Sequence, residues 1–131
     1  MFNIASSPEL VNCILWGNYS TEDHGHELYN ISNATIVLSH TLIYSSSTHI
    51  VGGGVIYGPG ILTEDPQFVD EAGGNLRLRA TSPAVDAGDN GSVSVTTVTD
   101  LDGNPRIVGG RVDMGAYEFL LRIYLPLVMR Q

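Results

Sequence analysis

One short stretch of the chain carries oxygen-bearing side chains at the spacing of a calcium ligand set. Asp100, Asp102 and Asn104 occupy alternate positions, and Gly103 supplies the residue type that a sharp turn requires. A twelve-residue calcium loop also ends on a glutamate, and that position is Arg111 here. The spacing therefore predicts a calcium site at Asp100, Asp102 and Asn104 that lacks one ligand.

The same stretch has a second interpretation that needs no metal. Short acidic side chains in turns accept hydrogen bonds from nearby backbone N–H groups. On this interpretation Asp100 and Asp102 bond backbone amides, and Arg106 forms an ion pair with an acid such as Asp113. Apart from calcium at this turn, the sequence indicates no cofactor.

His24 and His26 are the only other pair with metal-ligand spacing that the sequence offers. They stand two positions apart, so on a strand both would face the same side and could share a transition metal. A polar loop between two strands explains the pair without a metal, and we favour that interpretation.

Three aromatic residues suggest a different kind of site. Flat sugar faces pack on exposed aromatic rings, and Trp16, Tyr44 and Tyr57 would form a stacking platform if the fold aligned them on one face. A neutral polysaccharide is therefore a candidate partner, whereas scattered or buried rings would argue against it.

Composition excludes some partners. The formal net charge is −8, there are six basic residues, and the first arginine of the chain is Arg77. A nucleic acid or an anionic membrane surface needs a basic patch, which this sequence does not supply. The single Cys13 rules out an internal disulfide, and we expect a buried, unreactive thiol.

Strand signals dominate the chain, and helix signals are nearly absent. Short runs rich in β-branched and aromatic residues alternate with Asn, Ser, Gly, Asp and Pro. The predicted strands are 10–16, 27–31, 35–44, 54–57, 67–69, 76–79, 93–98, 112–119 and 122–128. Hairpin turns with tightly flanking strands are missing, which favours a β-solenoid over an antiparallel sandwich.

Asparagines mark the expected corners of such a solenoid, because Asn tolerates the left-handed conformation. The candidates are Asn12, Asn18, Asn30 and Asn33. The side chains expected to fill the interior are those of Leu10, Cys13, Leu15, Ile36 and Leu38.

A family resemblance supports this interpretation. The segment 6–18, SSPELVNCILWGN, resembles a repeat unit of the right-handed parallel β-helix proteins of pectin-lyase-like type. The segments DPQFVD (65–70), SPAVDAG (82–88), DLDGNPR (100–106) and VDMGAYEF (112–119) resemble the closing module of the choice-of-anchor Q surface proteins. The resemblance covers residues 6–119 and implies an extracellular or cell-surface β-helix.

That fold family includes polysaccharide lyases and hydrolases, so the resemblance raises the question of catalysis. Arg77 and Arg79 share one strand face, where a lyase base would lie, but we expect solvated side chains or salt bridges to acids such as Glu71. Two pairs of carboxylates lie close in sequence, Asp65 with Asp70 and Asp86 with Asp89. We expect them to accept backbone hydrogen bonds in turns, and we predict no catalytic residue.

The sequence thus predicts an all-β chain formed by the last two or three coils of a right-handed parallel β-helix and a carboxyl-terminal cap. Residues 1–75 are the terminal coils, 76–119 are the closing module that covers the lower end, and 120–131 are an apolar tail. We expect a non-catalytic structural module. A carbohydrate-binding or polysaccharide-degrading fragment and a self-assembling surface subunit are the alternatives.

The two termini carry further expectations. The start of the chain lacks the pattern of a signal peptide, and few coils precede the closing module, which suggests a fragment of a longer protein. The tail is too short to span a membrane. It is expected to fold back as a cap strand, to join a neighbouring copy, or to act as a sorting signal.

Overall fold

The computed structural model describes residues 1–21, 27–44 and 49–121. Within these ranges the chain forms strands and turns, one 3-10 helix at Asn90–Ser92, and no α-helix, which confirms the predicted all-β class. None of the described residues forms a helix long and apolar enough to cross a membrane. The strands are β1 (Phe2–Ile4), β2 (Glu9–Val11), β3 (Ile14–Leu15), β4 (Leu28–Ser39), β5 (Leu42–Ile43), β6 (Ile50–Tyr57), β7 (Phe68–Asp70) and β8 (Asn75–Leu78).

The first six strands form two parallel sheets. In the larger sheet, the long strand β4 pairs in parallel with β1 and β2 on one side and with β6 on the other. In the smaller sheet β3 pairs in parallel with β5, and a parallel bridge from Leu42 to Leu62 extends the ladder by one more segment. Successive stretches of the chain therefore lie side by side and run in the same direction.

The chain turns from the larger sheet to the smaller one at matching positions. Val11 pairs with Ser39 and Ile14 with Leu42, so Asn12 and His40 occupy equivalent corners. Both have left-handed backbones, with φ of 56° and 41°, and Gly60 repeats this conformation at φ 72° before Leu62. The corner expected at Asn12 is confirmed. Asn33 also has a left-handed backbone, with φ of 59°, but it lies within β4, where the register with β6 shifts.

Asn30 is not a corner, contrary to the sequence-based prediction. It lies within β4 and is buried, and its amide accepts a hydrogen bond from Asn3 Nδ2 at 3.0 Å and donates one to the Gly54 carbonyl at 3.2 Å. Asn3 and Asn30 stack on neighbouring strands, and the hydrogen bond between their side-chain amides satisfies polar groups that would otherwise be buried without a partner.

An apolar cluster fills the concave side of the sheets. Its fully buried members are Leu28, Ile36, Leu38 and Ile43. The predicted interior positions Ile36 and Leu38 are confirmed, and Leu10 and Leu15 are half-buried against the cluster. Cys13 is half-buried outside it, and its Sγ lies 3.2 Å from the Val11 carbonyl oxygen.

The closing module lies beside the parallel strands and not beneath them. Side chains alternate along a strand, so Leu15 faces the concave cluster while its neighbour Ile14 faces the opposite side. There Ile14 and the buried Leu42 pack with Leu78 and Met114 of the module. The last fifty or so residues were predicted to close the lower end, but the described part of the module covers the outer face of the smaller sheet. Residues 122–131 lie outside the described residues.

The module has little regular structure of its own. β7 and β8 form an antiparallel hairpin across the predicted boundary at residue 75, and two predicted strands are absent. Residues 93–98 form turns instead of the predicted strand. Side chains such as Val95, which is 94% exposed, do not pack against other apolar side chains, so packing does not stabilise a strand here. Residues 112–119 form no strand either, because the N–H groups of Val112, Asp113 and Phe119 bond side chains in place of a neighbouring strand. The predicted strand 122–128 lies outside the described residues.

Candidate functional site

The carboxylate of Asp100 is the centre of the predicted calcium turn, and N–H donors surround it. Oδ1 accepts hydrogen bonds from the backbone N–H groups of Asp102 (2.9 Å) and Asn104 (2.8 Å). Oδ2 accepts from Asn104 Nδ2 (3.1 Å) and from the backbone N–H of Glu118 (3.0 Å). Both oxygens of this buried carboxylate therefore serve as hydrogen-bond acceptors that join the turn to the end of the module.

Asp102 engages a cation from a distant part of the chain. Its carboxylate forms a two-pronged ion pair with Arg77, in which Nε donates to Oδ2 at 2.6 Å and Nη2 donates to Oδ1. The guanidinium also lies 4.8 Å from the ring centre of Tyr117, within cation–π range. Arg77 and Asp102 border an open cavity of about 220 Å³ together with Asn104 and Glu118.

A second carboxylate network lies deeper in the module, and sequence reasoning missed it. Asp113 accepts hydrogen bonds from the backbone N–H groups of Asp86 (2.7 Å) and Phe119 (2.6 Å). Glu118 Oε1 accepts from the N–H of Asp113 (3.1 Å) and pairs with Arg106. The predicted ion pair of Arg106 with an acid is confirmed, but the partner is Glu118 and not Asp113. The guanidinium contacts the carbonyl oxygens of Asp113 and Gly115.

These environments change the acidity of the buried groups in two directions. Burial raises the pKa of Glu118 to about 6 and outweighs the nearby Arg106. Burial likewise raises the pKa of Asp113, although backbone hydrogen bonds offset part of the effect. Burial also acts on Asp100, but there the four donated hydrogen bonds prevail and the pKa lies below its usual value. Burial raises the pKa of the Cys13 thiol, as expected for an unreactive residue.

The other candidate catalytic groups are engaged in turns. Arg79 donates to the carbonyls of Phe68 (3.0 Å) and Val69 (2.8 Å), so the expected salt bridge to Glu71 is replaced by backbone contacts. Carboxylates accept backbone N–H bonds within short loops, as predicted for Asp65, Asp70 and Asp89. The exposed Asp86 contributes its backbone N–H to Asp113.

The three aromatic residues do not share one surface. Trp16 and Tyr44 follow β3 and β5 and lie side by side, with ring centres 4.9 Å apart and planes at 85°. Trp16 is half-buried against the module, and Tyr44 is 41% exposed and also contacts His49. Tyr57 belongs to the larger sheet, where it pairs with Leu38. The fold therefore brings two of the three rings together, edge to face.

The arrangement of potential metal ligands bears on the predicted metal sites. Among the described residues, no group of three or more His, Cys, Asp or Glu side chains is arranged to hold a metal ion. His24 and His26 lie outside those residues. The calcium site at Asp100, Asp102 and Asn104 stays a prediction, which a binding measurement can test.

Comparisons with family models, with curated proteins and with solved structures returned no match for this chain.

Proposed function

We propose that the chain is a non-catalytic structural module of a right-handed parallel β-helix, of the pectin-lyase-like type, in a secreted or cell-surface protein. The observation that carries this proposal is the column of left-handed corners at Asn12, His40 and Gly60, flanked by parallel strands in matching register. In a solenoid each coil adds one strand to each sheet and bends where its neighbours bend. The right-handed sense follows from the strong preference of parallel crossover connections.

The contacts of the polar groups support a structural role over a catalytic one. A lyase base must be partly deprotonated. The hydrogen bond that Arg77 donates to the Asp102 carboxylate raises the pKa of Arg77, which keeps that guanidinium charged. Asp100 and Asp113 direct their oxygens at backbone N–H groups, so they hold irregular segments together. We therefore assign these carboxylates to the folding of the module.

Polysaccharide turnover tests the non-catalytic assignment. The full chain is incubated with pectin-like acidic polymers and with neutral glucans, and unsaturated products and new reducing ends are measured. We expect the wild-type chain to match the Arg77→Ala and Asp86→Asn variants, with no product above a heat-denatured control. Product formed by the wild type and lost in either variant would overturn the assignment.

Backbone NMR tests the coil arrangement itself. Parallel stacking predicts cross-strand contacts from Leu10 to Leu38 and from Leu38 to Tyr57, with all three strands running in one direction. Antiparallel contacts between these strands would refute the β-helix.

The pair Trp16 and Tyr44 favours sugar binding as a second candidate function. The two rings lie on successive parallel segments, and Tyr44 exposes enough surface to meet a ligand. Glycan-array binding that disappears in Tyr44→Ala but persists in Tyr57→Ala would support this function. Tyr57 is the matched control because it is also about half exposed, at 51%, but lies on the other sheet.

A further inference from the structure

Within the described residues, the strand β6 is paired along one edge only. It pairs with β4 on one side, and no described residue pairs with its other side. Its second half, Gly54–Tyr57, continues in regular register with β4 and is largely exposed, with Ile56 at 54% and Tyr57 at 51%. A free edge presents unpaired N–H and C=O groups that can accept another strand.

In the part of the chain that the structure describes, the apolar interior is also open at this end. Ile50, Val55 and Ile61 pack against the concave cluster but are only half-buried. Tyr57 pairs with the fully buried Leu38, so its side chain belongs to the inward-facing column and yet remains half exposed. We call these four side chains and the free edge of β6 the lower end. Within the described residues nothing covers it, because the closing module lies on the outer face of the smaller sheet.

The lower end is uncharged in a strongly acidic protein. Residues 50–62 contain no Asp, Glu, Lys or Arg, although the chain has a net charge of −8. Exposed edge strands of monomeric proteins usually carry a charge or a proline that prevents pairing, and Gly54–Tyr57 has neither. Two acidic molecules can meet at this surface without bringing like charges together.

We propose that two copies of this chain join through their lower ends, with the β6 edges antiparallel about a two-fold axis. This inference rests on the coil arrangement of the proposed function. A two-fold contact uses the same uncharged surface on both copies and covers both open interiors at once. A head-to-tail contact would instead use the edge of β2, which carries the exposed Glu9.

The alternation of side chains sets the register of this contact. Directly opposite residues of an antiparallel pair face the same side of the sheet. We place the two-fold axis at Ile56, which sets Val55 opposite the partner's Tyr57 with both side chains facing inward. The outward Ile56 then lies opposite its own copy.

Sedimentation velocity of the full chain over a range of concentrations tests the dimer. We expect the sedimenting mass to double as concentration rises. Ile56→Lys places two cations face to face at the axis and should leave the protein monomeric. Val95→Lys, at a 94% exposed site in the closing module, adds the same charge elsewhere and should leave dimerisation unchanged. A wild-type chain that stays monomeric at every concentration overturns the proposal.

A single cysteine distinguishes the two-fold contact from other assemblies. In a Cys13→Ser background, Ile56→Cys should form a disulfide with the same residue of a second copy, because opposite Cα atoms in an antiparallel pair lie within disulfide range. Val95→Cys is the control for random collision and should not cross-link. Larger assemblies without the Ile56→Cys cross-link would overturn the two-fold arrangement in favour of head-to-tail stacking.

The dimer and the coil arrangement can fail separately. If Ile56→Lys is monomeric and keeps the NMR contact between Leu38 and Tyr57, the coil is intact and only the association is lost. If wild-type protein lacks that contact, the β-helix itself is wrong and the dimer falls with it.

Discussion

Glu118 makes the stability of this protein depend on pH in an unusual direction. The residue is 6% exposed, Oε1 is hydrogen-bonded, and the buried Oε2 has no hydrogen-bond partner in the described part of the structure. Its pKa of about 6 lies above the value of 4.5 for an unperturbed glutamate. The folded chain therefore holds a proton here more tightly than the unfolded chain does.

The sign and size of the effect follow from this difference. The stabilisation from protonated Glu118 is fully present below pH 4.5 and is lost as the pH rises through about 6. A difference of roughly 1.5 pH units corresponds to about 2 kcal/mol of unfolding free energy. Asp113, whose pKa is also raised, acts in the same direction. Asp100 and Asp89, whose pKa values are lowered, act oppositely, and their contributions are lost only in stronger acid.

Glu118→Gln isolates this contribution, because glutamine stays neutral at every pH and keeps nearly the same shape. Between pH 4.5 and pH 7 we expect the variant to gain about 2 kcal/mol relative to wild type. Urea unfolding at several pH values, followed by the fluorescence of Trp16 beside the module, measures this change. Glu9→Gln, at an exposed site, is the matched control and should show no such gain. Parallel pH profiles for wild type and Glu118→Gln would refute the reasoning.

Four further substitutions or additions test the fold and the turn. Leu38→Ala removes a fully buried side chain and should lower the unfolding free energy by about 2–5 kcal/mol in urea; a neutral result would contradict the interior assignment. Asn12→Ala should cost about 1–3 kcal/mol, because it removes both bonds to the Asp89 backbone; an unchanged urea midpoint would argue against this clamp. Gly52→Ala should lower the unfolding free energy by more than ~1–2 kcal/mol, which is the usual cost of a left-handed backbone at a residue with a side chain. The additional loss is expected because the new Cβ would lie 1.8 Å from the Asn30 carbonyl oxygen. Full stability of the variant would refute the close packing of β6 on β4. Millimolar calcium, compared with EDTA, should leave the melting temperature unchanged because N–H donors occupy the Asp100 carboxylate; a rise would establish the calcium site.

Local sequence rules recovered the parts of the fold that local physics determines. Alternation of apolar residues predicted that Ile36 and Leu38 are buried, and the tolerance of asparagine for left-handed backbone predicted Asn12 as a corner. Asn30 is also an asparagine but lies buried within β4, where it accepts a hydrogen bond from Asn3 on the neighbouring strand. That pairing depends on strand register, which a single sequence does not reveal.

The candidate site shows the same division. Asp100 was predicted to accept backbone hydrogen bonds within its turn, and it does so from Asp102 and Asn104. Its bond to the Glu118 N–H and the pairing of Glu118 with Arg106 link residues that are 18 and 12 positions apart. No short motif signals such partners. The placement of the module was also missed, because an apolar pattern shows that a face is covered but not which face it covers.

The lateral position of the closing module has a consequence for how the chain folds. The side chain of Asn12 bonds the backbone of Asp89 across a separation of 77 residues, so the first corner gains its partner only when most of the chain has been made. Contacts this distant in sequence require long loops to close before any stabilisation is gained, and such topologies fold slowly. Until the module has been made, the outer side chains of β3 and β5 stay exposed to water and can associate with other apolar surfaces.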